Sequence, residues 1–281
     1  GALYTPDKTE FKLWAPTATK VVLNLYATGS DAEEGAADLG AYEMSQLMDG
    51  DKFTGVWTVT VEGDLKNVYY TYSVTSPSRI INGEETTRET QDVYSKATGV
   101  NGNRSMVVDL DSTDPEGWET DKHVLFDNRT EAAVWEVHIR DFSVADNSGV
   151  SESNKGKYLA FTEGGTTLNS DTSANAVKTG IDYLVEQGIN CVQILPMYDF
   201  QSVDESKASS STNRNWGYDP QNYNVPEGSY SSNAYDGNVR ITEMKQMIQA
   251  LHDRGISVVM DVVYNHTFTT EGSCFSRTVP G

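Results

Sequence analysis

The 281-residue chain carries 41 Asp and Glu against 21 Lys and Arg, which gives a formal net charge of −20. A surface this acidic repels phosphate backbones and anionic lipid headgroups, so nucleic acid and membrane surfaces are poor partners. No apolar run reaches the roughly 18 residues that a membrane helix needs, and Gly1 does not begin a signal peptide. An extracellular or cell-surface location is favoured over a cytoplasmic one.

Short alternating apolar runs, separated by Gly, Asp and Asn, fill the first part of the chain. The clearest are residues 11–14, 21–26, 56–61 and 68–74. Strands this short and regularly spaced predict an immunoglobulin-like β-sandwich over residues 1–115, followed by a polar linker over 116–129. Trp14, Trp57 and the tyrosines around Tyr70 belong to the sandwich core, to a docking face against the barrel, or to a sugar-stacking face.

The remainder, residues 130–281, has the pattern of parallel α/β architecture. Residues 133–139 predict a strand, and two helix, glycine, strand units follow. The first unit has Val177, Ile181, Leu184 and Val185 at helical spacing, then Gly188 and an apolar run over 189–196. The second has Met244, Met247, Ile248 and Leu251, then Gly255 and an apolar run over 256–263.

No glycine-rich phosphate loop follows any of these strands, which favours a barrel over a doubly wound dinucleotide fold. We therefore expect the first three βα units of a TIM (β/α)8 barrel. Three parallel strands alone leave an unpaired edge and a bare apolar face. We expect the remainder of the barrel to come from the same gene or from a second chain.

Candidate functional residues lie where barrel strands end, because the loops there converge over the barrel mouth. The long loop over 197–238, which shows no obvious secondary structure, contains Trp216 and Tyr218, and the third strand leads into Asp261 and His266. Aromatic rings in such a loop either stack on a sugar or pin the loop to the barrel. Asp261 and His266 are either structural hydrogen-bonding groups or parts of a binding site.

Residues 215–220 read Asn-Trp-Gly-Tyr-Asp-Pro and closely resemble the signature of type I pullulanases, with Arg214 where the family usually has Tyr. Residues 261–266 resemble the first shared region of the α-amylase superfamily of glycoside hydrolases. Residues 135–143 resemble the first barrel strand of pullulanases. Residues 11–18 resemble the opening of a family 48 carbohydrate-binding module, and 92–97 with 99–110 resemble its end.

The resemblance implies a retaining enzyme that hydrolyses α-1,6 branch linkages in pullulan, amylopectin or limit dextrins. It implies that Tyr218 stacks on the sugar at the cleavage subsite, that His266 hydrogen-bonds the sugar's primary hydroxyl side, and that Asp261 braces the network. Trp216, Asp219 and Asn215 belong to the same substrate-binding loop. No cofactor is required, but calcium is compatible, and Asn265 matches a position that can ligate it in related amylases.

In this family the nucleophile and the acid/base follow barrel strands four and five, with a further Asp after strand seven. We therefore expect no catalytic acid among these 281 residues and no hydrolysis by them alone. An isoamylase or branching enzyme shares the fold, but the signature at 215–220 argues against both. A starch-binding module with a barrel remnant is the alternative of a different class.

Overall fold

The computed structural model describes residues 1–77, 84–208 and 212–280. Its first part consists of antiparallel strands in two sheets. The strands are β1 (Ala2–Tyr4), β2 (Lys8–Trp14), β3 (Lys20–Tyr26), β4 (Asp38–Glu43), β5 (Ser45–Asp49), β6 (Lys52–Glu62), β7 (Tyr69–Pro77), β8 (Glu85–Thr90) and β9 (Ser105–Met106). One sheet has the order β1-β2-β6-β5 and the other β4-β3-β7-β8, with β9 pairing with β7. This is the architecture of a sandwich.

Alternation along the strands explains how the two sheets pack. In β2, Phe11 and Leu13 are buried, whereas their neighbours face outward, as the period of two along a strand requires. The corresponding residues of β3 are buried as well, and the ring of Phe11 meets Tyr70 edge-on at 5.0 Å. The predicted strands over 11–14, 21–26, 56–61 and 68–74 correspond to β2, β3, β6 and β7, whose ends differ from the predicted ones by up to four residues.

The three aromatic candidates of the sandwich separate clearly. Trp57 is buried and donates its indole N–H to the carbonyl of Ala15 at 3.0 Å, and Tyr70 is buried beside Asp92. Both are therefore core residues. Trp14 is 53% exposed and is the one of the three with a free ring surface.

The second part contains a parallel sheet with helices. Its elements are β10 (Val134–Val137), α1 (Gly180–Glu186), β11 (Cys191–Ile194), β12 (Tyr198–Phe200), β13 (Pro220–Pro226), α2 (Gly237–Asp253), β14 (Ser257–Met260) and α3 (Cys274–Thr278). The parallel strands have the order β10-β11-β14, so the middle strand in sequence is central in space. The three predicted strands exist but are shorter than their apolar runs.

Both predicted helices are present, and glycines at positive φ end them, with Gly188 at +73° and Gly255 at +72°. Helix α1 begins later than the apolar spacing predicted. Val177 lies outside it and is 58% exposed, because the helix begins only at the left-handed Gly180, at φ +60°, after the extended Thr179.

The loop over 197–238 is more ordered than expected. Strands β12 and β13 pair antiparallel within it, and their register shifts on both sides of Asp199, as at a β-bulge. The expectation of a loop without secondary structure was therefore wrong. The period-two signal was too short to recognise, because β12 has only three residues.

The edges of the parallel sheet carry exposed apolar side chains. Strands β10 and β14 each pair only with β11 within the described ranges, and Val134 and Met260 on them are 54% and 44% exposed. Among the described helices, none combines the length and apolarity needed to cross a bilayer.

Helix α2 joins the two parts. On one side it packs into the second core through Met247 and Leu251, and its Ile241 packs against Tyr69 and Met106 of the sandwich. The predicted linker lies along the same helix. Gln249 donates to the carbonyl of Glu116 at 3.0 Å, and His252 Nδ1 lies 2.6 Å from Asp121 Oδ2. Nearer the start of the helix, Lys245 donates hydrogen bonds to the Leu110 carbonyl and to the Asp114 carboxylate.

Candidate functional site

Three of the residues singled out from the sequence meet at the carboxyl end of β14. The Tyr218 hydroxyl donates to Asp261 Oδ2 at 2.7 Å, and the His266 ring lies 2.7 Å from the carbonyl oxygen of Tyr218. This hydrogen bond to a carboxylate, together with partial burial, raises the pKa of Tyr218 to about 12. The phenol therefore stays protonated at neutral pH and its ring orientation is fixed, with 39% of the residue still exposed.

The partners of His266 define its tautomer. Nε2 faces a carbonyl oxygen, which can only accept, and Nδ1 lies 2.9 Å from the side-chain amide nitrogen of Asn265, which can only donate. The proton of the neutral ring is thus on Nε2. Tyr223 also donates its hydroxyl to the His266 carbonyl at 2.7 Å, which ties this segment to β13.

Asn215 and Asp219 hold the loop closed instead of facing outward. The Asn215 amide donates to Asp219 Oδ1 and to Ser202, and its oxygen accepts from the Gly217 N–H at 3.1 Å. Gly217 has φ +92°, and a Cβ there would collide with the carbonyl oxygen of Pro196. Only glycine fits this turn, so Gly217 of the motif is required for the tight conformation that exposes Tyr218.

Trp216 points away from these contacts. It is 63% exposed, and its side chain makes no hydrogen bond or ring contact with the residues that the structure describes. Arg214, the departure from the family signature, pairs with Asp141 at 2.9 Å, and both side chains are 42% exposed. On the buried side of this loop, His138 Nε2 lies 2.8 Å from the carbonyl of Asn215, and burial lowers the pKa of His138.

A cluster of aromatic rings beside the site was missed from the sequence. Tyr264 is 65% exposed, its hydroxyl lies 3.0 Å from that of Tyr198, and its ring meets Tyr223 at 5.6 Å. Phe275 of α3 continues the row at 5.5 Å from Tyr223. Tyr198 and Tyr223 lie on β12 and β13. The number of aromatic residues in the loop over 197–238 is the sequence feature that could have indicated this cluster.

A second group missed from the sequence lies beneath the loop, and we call it the Arg240 cluster. It consists of Asp199, Glu205, Glu227 and Arg240, all fully or almost fully buried. Arg240 donates to both carboxylate oxygens of Glu205 at 2.9 Å, a bidentate pair, and lies 3.7 Å from Asp199. Glu227 instead accepts backbone N–H groups from Phe200 at 3.1 Å and from Ser229 at 2.9 Å.

Three buried carboxyl groups share one guanidinium, which disfavours their simultaneous ionisation. Burial and the neighbouring charge of Glu205 raise the pKa of Asp199 to about 8, despite Arg240. Burial and the same neighbour raise the pKa of Glu227 well above its usual range. A protonated carboxyl here removes an uncompensated buried charge.

Asp199→Asn is expected to flatten the pH dependence of stability. The pKa of Asp199 is about 8 in the fold against an ordinary 3.8, so between these values the folded chain holds a proton that the unfolded chain releases. The free energy of unfolding should fall as pH rises through this window, by up to about 1.4 kcal/mol per pH unit for one proton. Urea unfolding of the parent and the variant across the window measures both slopes. Equal slopes would contradict this assignment.

The same three carboxyl groups are the acidic cluster with metal-ligand spacing in the described part of the chain. Arg240 already supplies the positive charge among them, and backbone N–H groups occupy oxygens of Glu205 and Glu227. A resident cation fits poorly beside a guanidinium. Asn265 does not belong to this group, and its predicted role as a calcium ligand stays a prediction.

Comparison with known proteins agrees with both parts of the fold. Residues 1–95 match the model of carbohydrate-binding module 48, the isoamylase N-terminal domain, and residues 140–279 match the alpha amylase catalytic domain. These two matches define the class of protein, which is a carbohydrate-binding module joined to part of an α-amylase-type catalytic domain.

Several of the similar proteins are pullulanases. Pullulanase of Bacillus subtilis (strain 168) is 40% identical over all of this chain, which spans 35% of that protein. The structure of pullulanase from Paenibacillus barengoltzii in complex with maltohexaose and alpha-cyclodextrin is 42% identical, with a TM-score of 0.88, and pullulanase from Bacillus acidopullulyticus is 45% identical, with a TM-score of 0.85. All of this chain is covered, together with 40% and 31% of those chains. The chain thus combines a carbohydrate-binding module 48 with part of an alpha amylase catalytic domain, and along its whole length it is similar to pullulanases, of whose length it spans about a third.

Proposed function

We propose that this chain is the amino-terminal part of an enzyme that hydrolyses α-1,6-glucosidic branch linkages in pullulan, starch or related α-glucans. The observation that carries the proposal is the hydrogen-bonded group of Tyr218, Asp261 and His266 at the carboxyl end of a parallel strand. That position is where barrel enzymes of this architecture bind substrate. The pullulanase relatives, one of them in complex with maltohexaose, support α-glucan as the ligand.

In the proposed site the three residues divide the work. Asp261 and His266 fix Tyr218 from its hydroxyl and from its backbone, so the ring offers one rigid face to the apolar face of a glucose unit. A ring held in place before binding loses little freedom when the sugar arrives. His266 has both ring nitrogens engaged, so a contact with the sugar's primary hydroxyl requires one of these bonds to be shared or exchanged.

A retaining glycosidase needs a nucleophile and an acid/base about 5 Å apart. Asp261 is already hydrogen-bonded to Tyr218, so we propose that both catalytic acids, the remaining barrel strands and any further Asp come from further sequence of the same gene or from a second chain. The parallel sheet, with edge strands β10 and β14, supports three βα units of a (β/α)8 barrel that such sequence would complete. The chemistry requires no cofactor.

A reducing-sugar assay on pullulan tests this proposal. We expect the 281-residue chain to release no reducing sugar. A polypeptide that continues through the remainder of the barrel, which we call the extended polypeptide, should release maltotriose. A linear α-1,4 maltodextrin serves as the control substrate and should be left intact. Release by the 281-residue chain alone, or attack on the linear substrate in place of pullulan, would contradict the proposal.

The exposed ring of Trp14 favours one alternative, a sandwich that binds starch without catalysis. Affinity electrophoresis in starch gels separates the two functions. If the proposal holds, Trp14→Ala changes retardation of the extended polypeptide little and leaves substrate clearing intact. A binding-only protein would be retarded through Trp14 and would clear nothing.

A further inference from the structure

We propose that the turn at residues 98–103 of the sandwich is a positioning element of the sugar site. The turn contacts the two chain segments that flank the site loop, residues 213–219, and thereby fixes the position of that loop. The turn itself does not contact the sugar. The inference deepens the proposed function and rests on it for the role of Tyr218.

The turn has a conformation that few residues adopt. Asn101 has φ +60° and Gly102 has φ +65°, both in the left-handed region that Asn and Gly tolerate best. A Cβ at position 102 would overlap Asp199 Oδ2 and approach Asn222 Nδ2. The sandwich backbone therefore packs directly onto buried polar groups at the base of the site loop.

The first connection reaches the amino-terminal side of the site loop. Asn101 exchanges two hydrogen bonds with Glu205, since its side-chain oxygen accepts from the Glu205 N–H at 2.8 Å and its own N–H donates to Glu205 Oε2 at 2.6 Å. The adjoining residue, Asp204, exchanges two more with Asn213, at 3.0 and 2.8 Å. Asn213 begins the site loop, so only two contacts separate the sandwich from it.

The second connection reaches the carboxyl-terminal side. Asn222 of β13 donates to the carbonyl of Gly102 at 2.9 Å and also to Asp199, its partner on β12. Just beyond β12, the Gln201 N–H donates to the carbonyl of Asp219 at 3.1 Å. Asp219 directly follows Tyr218, so hydrogen bonds also connect the carboxyl-terminal side of the loop to the sandwich.

Arg240 locks the two connections together. Besides its bidentate bond to Glu205, it donates to the carbonyls of Gly99 at 3.4 Å and Ala234 at 2.9 Å. The buried Arg240 side chain thus connects three elements, namely the turn, helix α2 and the base of the site loop. A shift of the turn moves both flanks of Tyr218, and a displacement of about 1 Å at a binding group can cost on the order of 10²-fold in rate.

Asn101→Gly tests the inference with a closely matched control. The substitution removes the side-chain bonds to Glu205 and Asp204 without straining a left-handed residue. Asn169 has the same backbone conformation, with φ +59°, in a loop distant in sequence from the cluster, so Asn169→Gly is the control. Hydrogen–deuterium exchange of the extended polypeptide without sugar should show amides over 213–219 exchanging about tenfold faster in Asn101→Gly only. Exchange over β11 should not change.

Equal exchange over 213–219 in the two variants would overturn the inference, and so would a uniform acceleration across the chain, which indicates general destabilisation. Pullulan kinetics supply the functional readout, with kcat/KM expected to fall about tenfold in Asn101→Gly and to stay unchanged in Asn169→Gly. Gly102→Ala should reproduce the effect. The exchange result does not depend on sugar, so inactivity of the unsubstituted polypeptide would count against the proposed function and not against the positioning role.

Discussion

Arg240→Met is expected to lower the free energy of unfolding by about 3–5 kcal/mol, because it leaves buried carboxyl groups without their cation. Arg240 is completely buried, and Glu205 loses a bidentate partner in the variant. The carboxyl groups can offset part of the cost by binding further protons, so the loss should shrink as pH falls. Chemical denaturation of the 281-residue chain at neutral and acidic pH measures both effects.

Arg254→Met is the matched control, since it removes an arginine at the end of the same helix. Arg254 pairs with Asp182 at the surface, and its side chain is 40% exposed. Such pairs contribute about 1 kcal/mol or less. Similar losses in the two variants would contradict the assignment of Arg240 as the buried centre that joins the two parts of the fold.

Tyr218→Ala is expected to reduce kcat/KM on pullulan by about 10²-fold in a polypeptide that contains the complete barrel. The variant removes the ring face while leaving the loop closure by Asn215 and Gly217 intact. Tyr218→Phe keeps the ring but loses the bond to Asp261, so a smaller loss is expected. The kinetics of the three proteins measure how much of the effect belongs to stacking and how much to orientation.

Tyr94→Ala controls for the loss of an exposed tyrosine. Tyr94 lies in the sandwich and is 60% exposed. We expect its kinetics to match the parent. A Tyr218→Ala variant that also matches the parent would remove Tyr218 from the site and with it the main support for the proposed function.

The meeting of Tyr218, Asp261 and His266 could be anticipated because it follows from topology. Each residue comes just after a parallel strand or within the loop after one, and the carboxyl ends of parallel strands share one edge. The glycine in the motif also carried local information, since Gly217 occupies a conformation with positive φ that a side chain would obstruct. Local rules and strand order were sufficient here.

The Arg240 cluster could not be anticipated, because its members look like surface residues in the sequence. Arg240 lies in a polar first turn of α2, and Asp199 and Glu205 lie in a loop rich in Ser and Asp. Their burial depends on the turn at 98–103, more than a hundred residues earlier in the chain. The pairing of β12 with β13 was missed for a similar reason, since three residues do not reveal a period.

If the site loop and the end of β14 form one sugar-binding surface, a bound sugar contacts both segments at once. Hydrogen–deuterium exchange of the extended polypeptide with and without maltotriose measures this. We expect maltotriose to protect amides over 213–219 and over 261–266 together, and Tyr218→Ala to abolish protection in both segments. Protection confined to the sandwich around Trp14, or in one of the two segments without the other, would contradict it.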